Sequence, residues 1–335
     1  MSDMVFGEPL GMLEDGEYVP WVQLIFGFLK LATRLKAVRY LGPWIDATLS
    51  HVKHNVPSWV PGFCVPHQHH SYIARRVDKR LQTTPTHPDI WSLITKESSE
   101  DEKPFSMDER YSIANEMMIG GTETTATALS GVIYYLLLNP KYLKELTQEL
   151  RQQYKDVHAL TMQSLQNQQK LNAVLWEGLR VYPPLPTGLP RHVPSGGTVL
   201  EGYYLPDDAR VAIYHRPTYR QEAHFHLPNE FRPERWLGDE EFKDDKLDSV
   251  QPFSVGPRNC IGRVRFSLIT SCCAHANILF FDQNFAWHEM RLLLATVLLH
   301  FDLKLLPESE GWHEQKVFVV WEKRALMCEL IEPIE

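Results

Sequence analysis

Apolar residues recur at three- and four-residue spacing through most of the first 180 residues, the period that turns one face of an α-helix toward a core. Ser106 followed by Glu109 is a capping-box signature, and the periodic run behind it continues to Asn139-Pro140. One helix of some thirty residues is predicted there, roughly 45–50 Å long at about 1.5 Å per residue. Further helices are predicted from about Lys141 to Tyr154, with Pro140 at the entry, and from about Gln168 to Val181, stopped by Pro183-Pro184. Between Gly197 and Tyr214 the period shortens to β-rich runs split by Pro206-Asp207-Asp208, a hairpin signature. An acidic, irregular stretch follows Trp236, and KVFVVWEK (316–323) reads as a strand. The pattern predicts a mainly α chain with small β-sheets, as a single domain over 1–335.

The segment WVQLIFGFLKLATRLKAVRYLG is the most apolar near the start, but Lys30, Arg34, Lys36 and Arg39 interrupt it at helical spacing. It reads as an amphipathic helix, facing either a core or a membrane surface. No run of about eighteen apolar residues occurs, and the first residues lack the basic-then-apolar order of a signal peptide.

With 335 residues, 44% hydrophobic and 23% charged, the chain is long enough for a substantial core. The formal charge of -8, from 34 basic and 42 acidic side chains, gives nucleic-acid binding no electrostatic support. Five irregularly spaced cysteines argue against a disulfide framework and for a reducing compartment. Cys64, His67, His69 and His70 in CVPHQHH offer metal-binding side chains, yet a second ligand pair at zinc-finger spacing is missing. Solvated histidines of a Pro-rich loop are the other reading.

The densest chemistry lies in FSVGPRNCIG, Phe253 to Gly262. A chance match to its specified positions occurs on the order of once in 10^7 to 10^8 placements. Gly256 and Gly262 allow tight turns and a close approach of backbone to a flat ligand. Arg258 stands where it can form a charge-assisted pair with an anionic substituent. Phe253 can pack beside such a ligand and exclude water. A thiolate on Cys260 can ligate iron, and its electron donation favours O–O cleavage, so the run reads as a haem-thiolate loop. The plain alternative is one buried thiol in a Gly/Pro turn.

GGTETT, Gly120 to Thr125, sits inside the long predicted helix, where each glycine costs about 1 kcal/mol relative to alanine. A kink or a close approach is expected there, and the adjacent Glu123 and Thr124 could relay protons through water. Close helix packing, with Thr124 bonded back to the preceding turn, is the other account. Glu177 and Arg180, three apart on the helix before Pro183, share one face. The apolar neighbours Leu175, Trp176, Leu179 and Val181 suggest burial, so the pair needs further hydrogen bonds, and FRPERW offers Arg235 as a partner.

These four motifs, GGTETT, EGLR, FRPERW and FSVGPRNCIG, resemble in kind and order those of the cytochrome P450 superfamily, in particular its fungal secondary-metabolism monooxygenases. The resemblance implies the P450 fold, with haem b held by Cys260 as the axial metal ligand. It implies that Arg258 and Arg191 pair with propionates, and that Phe253, Gly256 and Gly262 shape the loop. It further implies Glu123 and Thr124 as the proton-delivery pair, Glu177, Arg180 and Arg235 as a structural triad, and Leu185 to Leu189 as pocket lining. The implied reaction inserts one oxygen atom of O2 into a hydrophobic small molecule, with electrons from NADPH through a reductase. Relatives of this kind sit on the cytosolic face of the endoplasmic reticulum; with no anchor visible in this chain, the cytoplasm is the other location.

Two features depart from the family pattern. Such chains commonly open with an anchor, a β-rich portion and several helices, so this one is expected to be incomplete at the N-terminus, and an inactive remnant that holds no haem is the alternative. Secondly, Gly262-Arg263 and Asn284-Phe285-Ala286 are two halves of one family phrase, separated by Val264 to Gln283. Val-Arg can be encoded GTGCGT, Ala276-Asn277 GCTAAC and Gln283 CAG, so residues 264–283 are expected to be a retained intron. A genuine family-specific loop is the alternative.

Overall fold

The computed structural model describes residues 2–8, 25–27, 29–31, 33–34, 64–83, 89–95, 105–263 and 285–333. These divide into two compact units, residues 1–123 and 124–335. The predicted insertion 264–283 lies outside the described residues.

In the first unit, helix α1 (Cys64–Gln82) and the short helices Ser2–Phe6 and Ile90–Thr95 surround a core of Val5, Phe6, Ile73, Val77 and Trp91. Ile25 is buried in that same core, with Phe26 and Leu29 packed against it; residues 21–24, 28, 32 and 35–42 of the amphipathic segment lie outside the described residues. CVPHQHH is the start of α1 and not a Pro-rich loop. Its His69 pairs with Asn115, and the His70 ring lies edge-on to Tyr111 at 5.7 Å. Among the described residues no three His, Cys, Asp or Glu side chains are grouped to hold a metal.

Asp89 is a buried charge of this unit, held by the buried Arg80. Arg80 bonds it from Nε at 2.5 Å and Nη2 at 3.0 Å, and Ser92 adds its N–H at 2.7 Å. Burial alone would raise the Asp89 carboxyl, but the Arg80 and Ser92 hydrogen bonds outweigh it and hold the group at about 2. With a folded value below the ordinary 3.8, the pair stabilises above that pH and its contribution is lost as pH falls toward about 2. Asp89→Asn leaves Arg80 buried without a counter-charge and is expected to cost about 3 kcal/mol. The check is denaturant unfolding at pH 7 and at pH 2, where the difference between variant and parent should shrink.

Helix α2 (Met107–Leu138) opens on the predicted capping box: Glu109 N–H donates to Ser106 Oγ at 3.3 Å, and Ser106 N–H to Glu109 Oε2 at 2.8 Å. It runs on through Gly120-Gly121, and a Cβ at Gly120 would meet open space. A close approach is found instead three turns later, at Gly131, where a Cβ would lie 2.4 Å from the Tyr182 ring.

In the second unit, α3 (Pro140–Gln153) and α4 (Gln169–Val181) match the predicted spans within a residue or two. With α5 (Phe285–His300) and the end of α2 they enclose Leu136, Leu146, Leu171, Leu175, Leu294 and Leu298. Gly178 of α4 lets that helix press on α2, since a Cβ there would stand 2.2 Å from Val132 Cγ2.

The β portion consists of antiparallel pairs: β1 (Arg191–His192) with β4 (Arg210–Val211), β2 (Thr198–Leu200) with β3 (Tyr203–Leu205), β5 (Asp302–Leu305) with β8 (Cys328–Ile331), and β6 (Val317–Phe318) with β7 (Val320–Trp321). The tight hairpin turn is Glu201-Gly202, both at positive φ (49° and 81°), the pair of conformations a type I′ turn needs. Pro206-Asp207-Asp208 instead links β3 to β4, which do not pair with each other. KVFVVWEK is likewise split in two, because Val319 takes φ 70° and folds the halves onto each other. Trp321 holds that turn down, its Nε1 donating to Pro183 O at 2.8 Å. No helix among the described residues is long and apolar enough to cross a membrane.

Candidate functional site: the thiol loop and the network behind it

Glu177 and Arg180 project from the buried face of α4, and both side chains are fully buried. The Glu177 carboxylate accepts five N–H groups. Oε1 takes Arg180 Nη2 at 2.7 Å, Arg232 N at 2.8 Å and Arg235 Nε at 3.1 Å; Oε2 takes Arg180 Nε and Trp236 Nε1, each at 2.9 Å. Burial pushes this carboxyl up, but the charges of Arg180 and Arg235 and their hydrogen bonds prevail and hold it below the usual carboxylate range. The sequence-predicted triad is therefore brought together, through a 3₁₀ turn at Pro233–Trp236 that sets Arg235 against α4.

Sequence reasoning missed two members. Asp245 pairs with Arg235 Nη1 and also accepts His226 N–H at 2.6 Å; it lay hidden among the many carboxylates of DEEFKDDKLDS. Arg180 Nη1 donates to the carbonyls of Tyr219 and Pro228 at 2.8 and 2.7 Å. The Tyr219 hydroxyl accepts Gln251 N–H at 2.9 Å, at the entrance of the cysteine loop. Burial raises the Tyr219 phenol, which stays neutral.

The loop itself is closed by its own backbone: Cys260 N–H donates to Phe253 O at 2.8 Å and Asn259 N–H to Gly256 O at 3.0 Å. Ser254 (φ 60°) and Gly256 (φ 80°) take left-handed backbone to make the turn. Cys260 is a free, half-buried thiol, and a Cβ at Gly262 would stand 3.5 Å from its Sγ. Phe253 is partly buried against Trp287, ring centres 5.9 Å apart. Arg258 is exposed. Arg191, exposed on β1, donates among the described residues to the neighbouring carbonyls of Leu189 and Pro190 at 3.4 and 3.2 Å.

Leu185 to Leu189 form the link between α4 and β1, fixed by His215 Nδ1 on Leu185 O at 2.9 Å and Arg216 N–H on Pro186 O at 3.1 Å. Glu123 is buried and Thr124 half-buried on α2, on either side of the division between the two units. Next to them Thr125 bonds the Glu289 carboxyl of α5, which burial raises above its ordinary value.

The family model for Cytochrome P450 matches residues 1–267. The chain is 42% identical over 332 residues to the cytochrome P450 monooxygenase efuB of Hormonema carpetanum, covering 98% of this chain and 61% of that protein. It is 34% identical over 344 residues to averantin hydroxylase of Aspergillus parasiticus, covering 98% and 62%. The chain thus spans about three-fifths of the length of these curated relatives. In fold it superposes on the crystal structure of the cytochrome P450DA heme domain with a TM-score of 0.74 at 18% identity, over 99% of this chain and 65% of that one.

Proposed function

The chain belongs to the cytochrome P450 family, and from that membership we propose that it is a haem-thiolate monooxygenase of fungal secondary metabolism. The reaction inserts one oxygen atom of O2 into a hydrophobic small molecule. The second oxygen leaves as water, with two protons and with two electrons from NADPH delivered by a reductase. The observation that carries this reading is the Cys260 loop. It offers one free thiol in a backbone cradle tight enough to need left-handed residues, with the apolar side chains of Val255 and Ile261 bare beside it. A flat, apolar ligand whose metal takes one thiolate from the protein would fit those residues.

When bound, haem supplies dioxygen activation, which an electron-rich thiolate ligand favours. Cys260 Sγ would hold the iron, while the exposed guanidiniums of Arg258 and Arg191 would hold the propionates. Phe253, backed by Trp287, would exclude water from the sulfur, and the N–H groups of the loop would tune its basicity. Glu123 Oε and Thr124 Oγ1, adjacent on α2, would pass protons inward through water. Leu185 to Leu189 would line the pocket for an apolar substrate. By family likeness the working location is the cytosolic face of the endoplasmic reticulum.

The test is spectroscopic. Protein supplied with ample haem, reduced and treated with CO, is expected to show the far-red-shifted Soret band of thiolate ligation, and Cys260→Ala to lose it entirely. A parent protein that purifies colourless overturns the reading in favour of a remnant that holds no haem. A band retained in Cys260→Ala overturns the ligand assignment.

A further inference from the structure

We infer that Tyr219 and the tryptophans Trp236, Trp176 and Trp287 are positioning residues for the thiol: they tie the Cys260 loop at two points to the buried Glu177 network. The inference rests on the proposed function only for the use to which the loop is put.

The first tie is a hydrogen-bonded one. Arg180, clamped on both oxygens of Glu177, also grips the Tyr219 carbonyl at 2.8 Å. The Tyr219 side chain is wholly buried and stacked on His215 at 5.3 Å and 7°, so its hydroxyl has little freedom. That hydroxyl receives Gln251 N–H at 2.9 Å, two residues before Phe253. The second tie is a run of rings. Trp236 donates its Nε1–H to Glu177 and stacks on Trp176 at 5.2 Å and 16°. Trp176 meets Trp287 at 4.8 Å, and Trp287 meets Phe253 at 5.9 Å. Phe253 O is the acceptor for Cys260 N–H.

Both ties therefore end on the short stretch whose carbonyl fixes the backbone of the thiol. Indole and phenol rings suit this task. They have two side-chain torsions and large faces, so a fixed anchor at one end restrains the other at small entropic cost. A five-donor carboxylate is such an anchor. The loop, by contrast, has exposed residues from Val255 to Asn259 and would otherwise sample many backbone states.

The experiment is amide hydrogen exchange with mass spectrometry on the full chain, which reads the loop whether or not haem is present. Tyr219→Phe removes the acceptor of Gln251, and Trp236→Phe removes the bond to Glu177 while leaving a ring. Tyr154→Phe is the control, a buried tyrosine whose hydroxyl serves Gln168 at 2.8 Å elsewhere in the same core. The first two variants are expected to exchange about tenfold faster over residues 251–260, the scale of one lost hydrogen bond, and their combination faster still. The control should lower overall stability comparably and leave 251–260 at the parent rate. In haem-loaded protein the same two variants should convert part of the thiolate band to a thiol-ligated one. Loop exchange unchanged in Tyr219→Phe and Trp236→Phe, or raised equally in Tyr154→Phe, overturns the inference. A parent that takes up no haem defeats only the proposed function, because the exchange result still stands.

Discussion

Glu177→Gln is expected to destabilise the second unit by about 4 kcal/mol, the scale for removing one partner of a fully buried ion pair. The side-chain volume barely changes, so the loss is electrostatic. The new amide can accept at one atom only, while five N–H groups converge on the present carboxylate. Two fully buried guanidiniums would then share one neutral side chain. Arg235 would keep Asp245, whereas Arg180 would keep no carboxylate, with the neutral amide and backbone carbonyls as its acceptors. Against a typical domain stability of about 5–15 kcal/mol, such a loss brings the unit close to unfolding at 37 °C. The sign with pH follows from the depressed Glu177 carboxyl: the contribution is complete above the unfolded-state value and disappears as pH falls through the folded one. Urea unfolding followed by tryptophan fluorescence at pH 7 measures it directly. A midpoint for Glu177→Gln within error of the parent would refute this account of the network.

The helices were legible because they carry their own punctuation. Ser106 and Glu109 mark the start of α2, Pro140 the start of α3 and Pro183-Pro184 the end of α4. The triad was legible because Glu177 and Arg180, three apart on one helix face, stand among apolar neighbours, and a buried ion pair calls for a further partner. The strands were less so. In the hairpin, Glu201-Gly202 makes the turn, yet Pro206-Asp207-Asp208 is the louder signal, since turn chemistry acts at every bend whether or not the flanking strands pair. Val319 could not be read at all: nothing in VFVVW warns that a β-branched residue takes φ 70°, a strained state imposed by tertiary anchors at Pro183 and Thr187. Asp245 was hidden by abundance, and Tyr219 by distance, with 39 residues separating it from Arg180.

Joining Arg263 directly to Asn284 is expected to stabilise the folded chain by about 2–3 kcal/mol, because it abolishes the closure entropy of a twenty-residue excursion. The structure supplies the reason the join should close. A Cβ at Gly262 would lie 3.6 Å from the Ala286 Cβ, so the two flanks already stand no farther apart than successive turns of one helix, for which about 5–6 Å is usual. With 264–283 removed, Gly262 and Ala286 become positions i and i+4. The 3₁₀ turn Ile261–Arg263 could then feed α5 and give its first N–H groups intrahelical partners. The excised chain should show a higher urea midpoint and, in haem-loaded form, a larger thiolate-band fraction per mole of protein. If it instead unfolds more readily than the parent, or if transcripts chiefly retain the codons for 264–283, the segment is an integral loop and the retained-intron explanation fails.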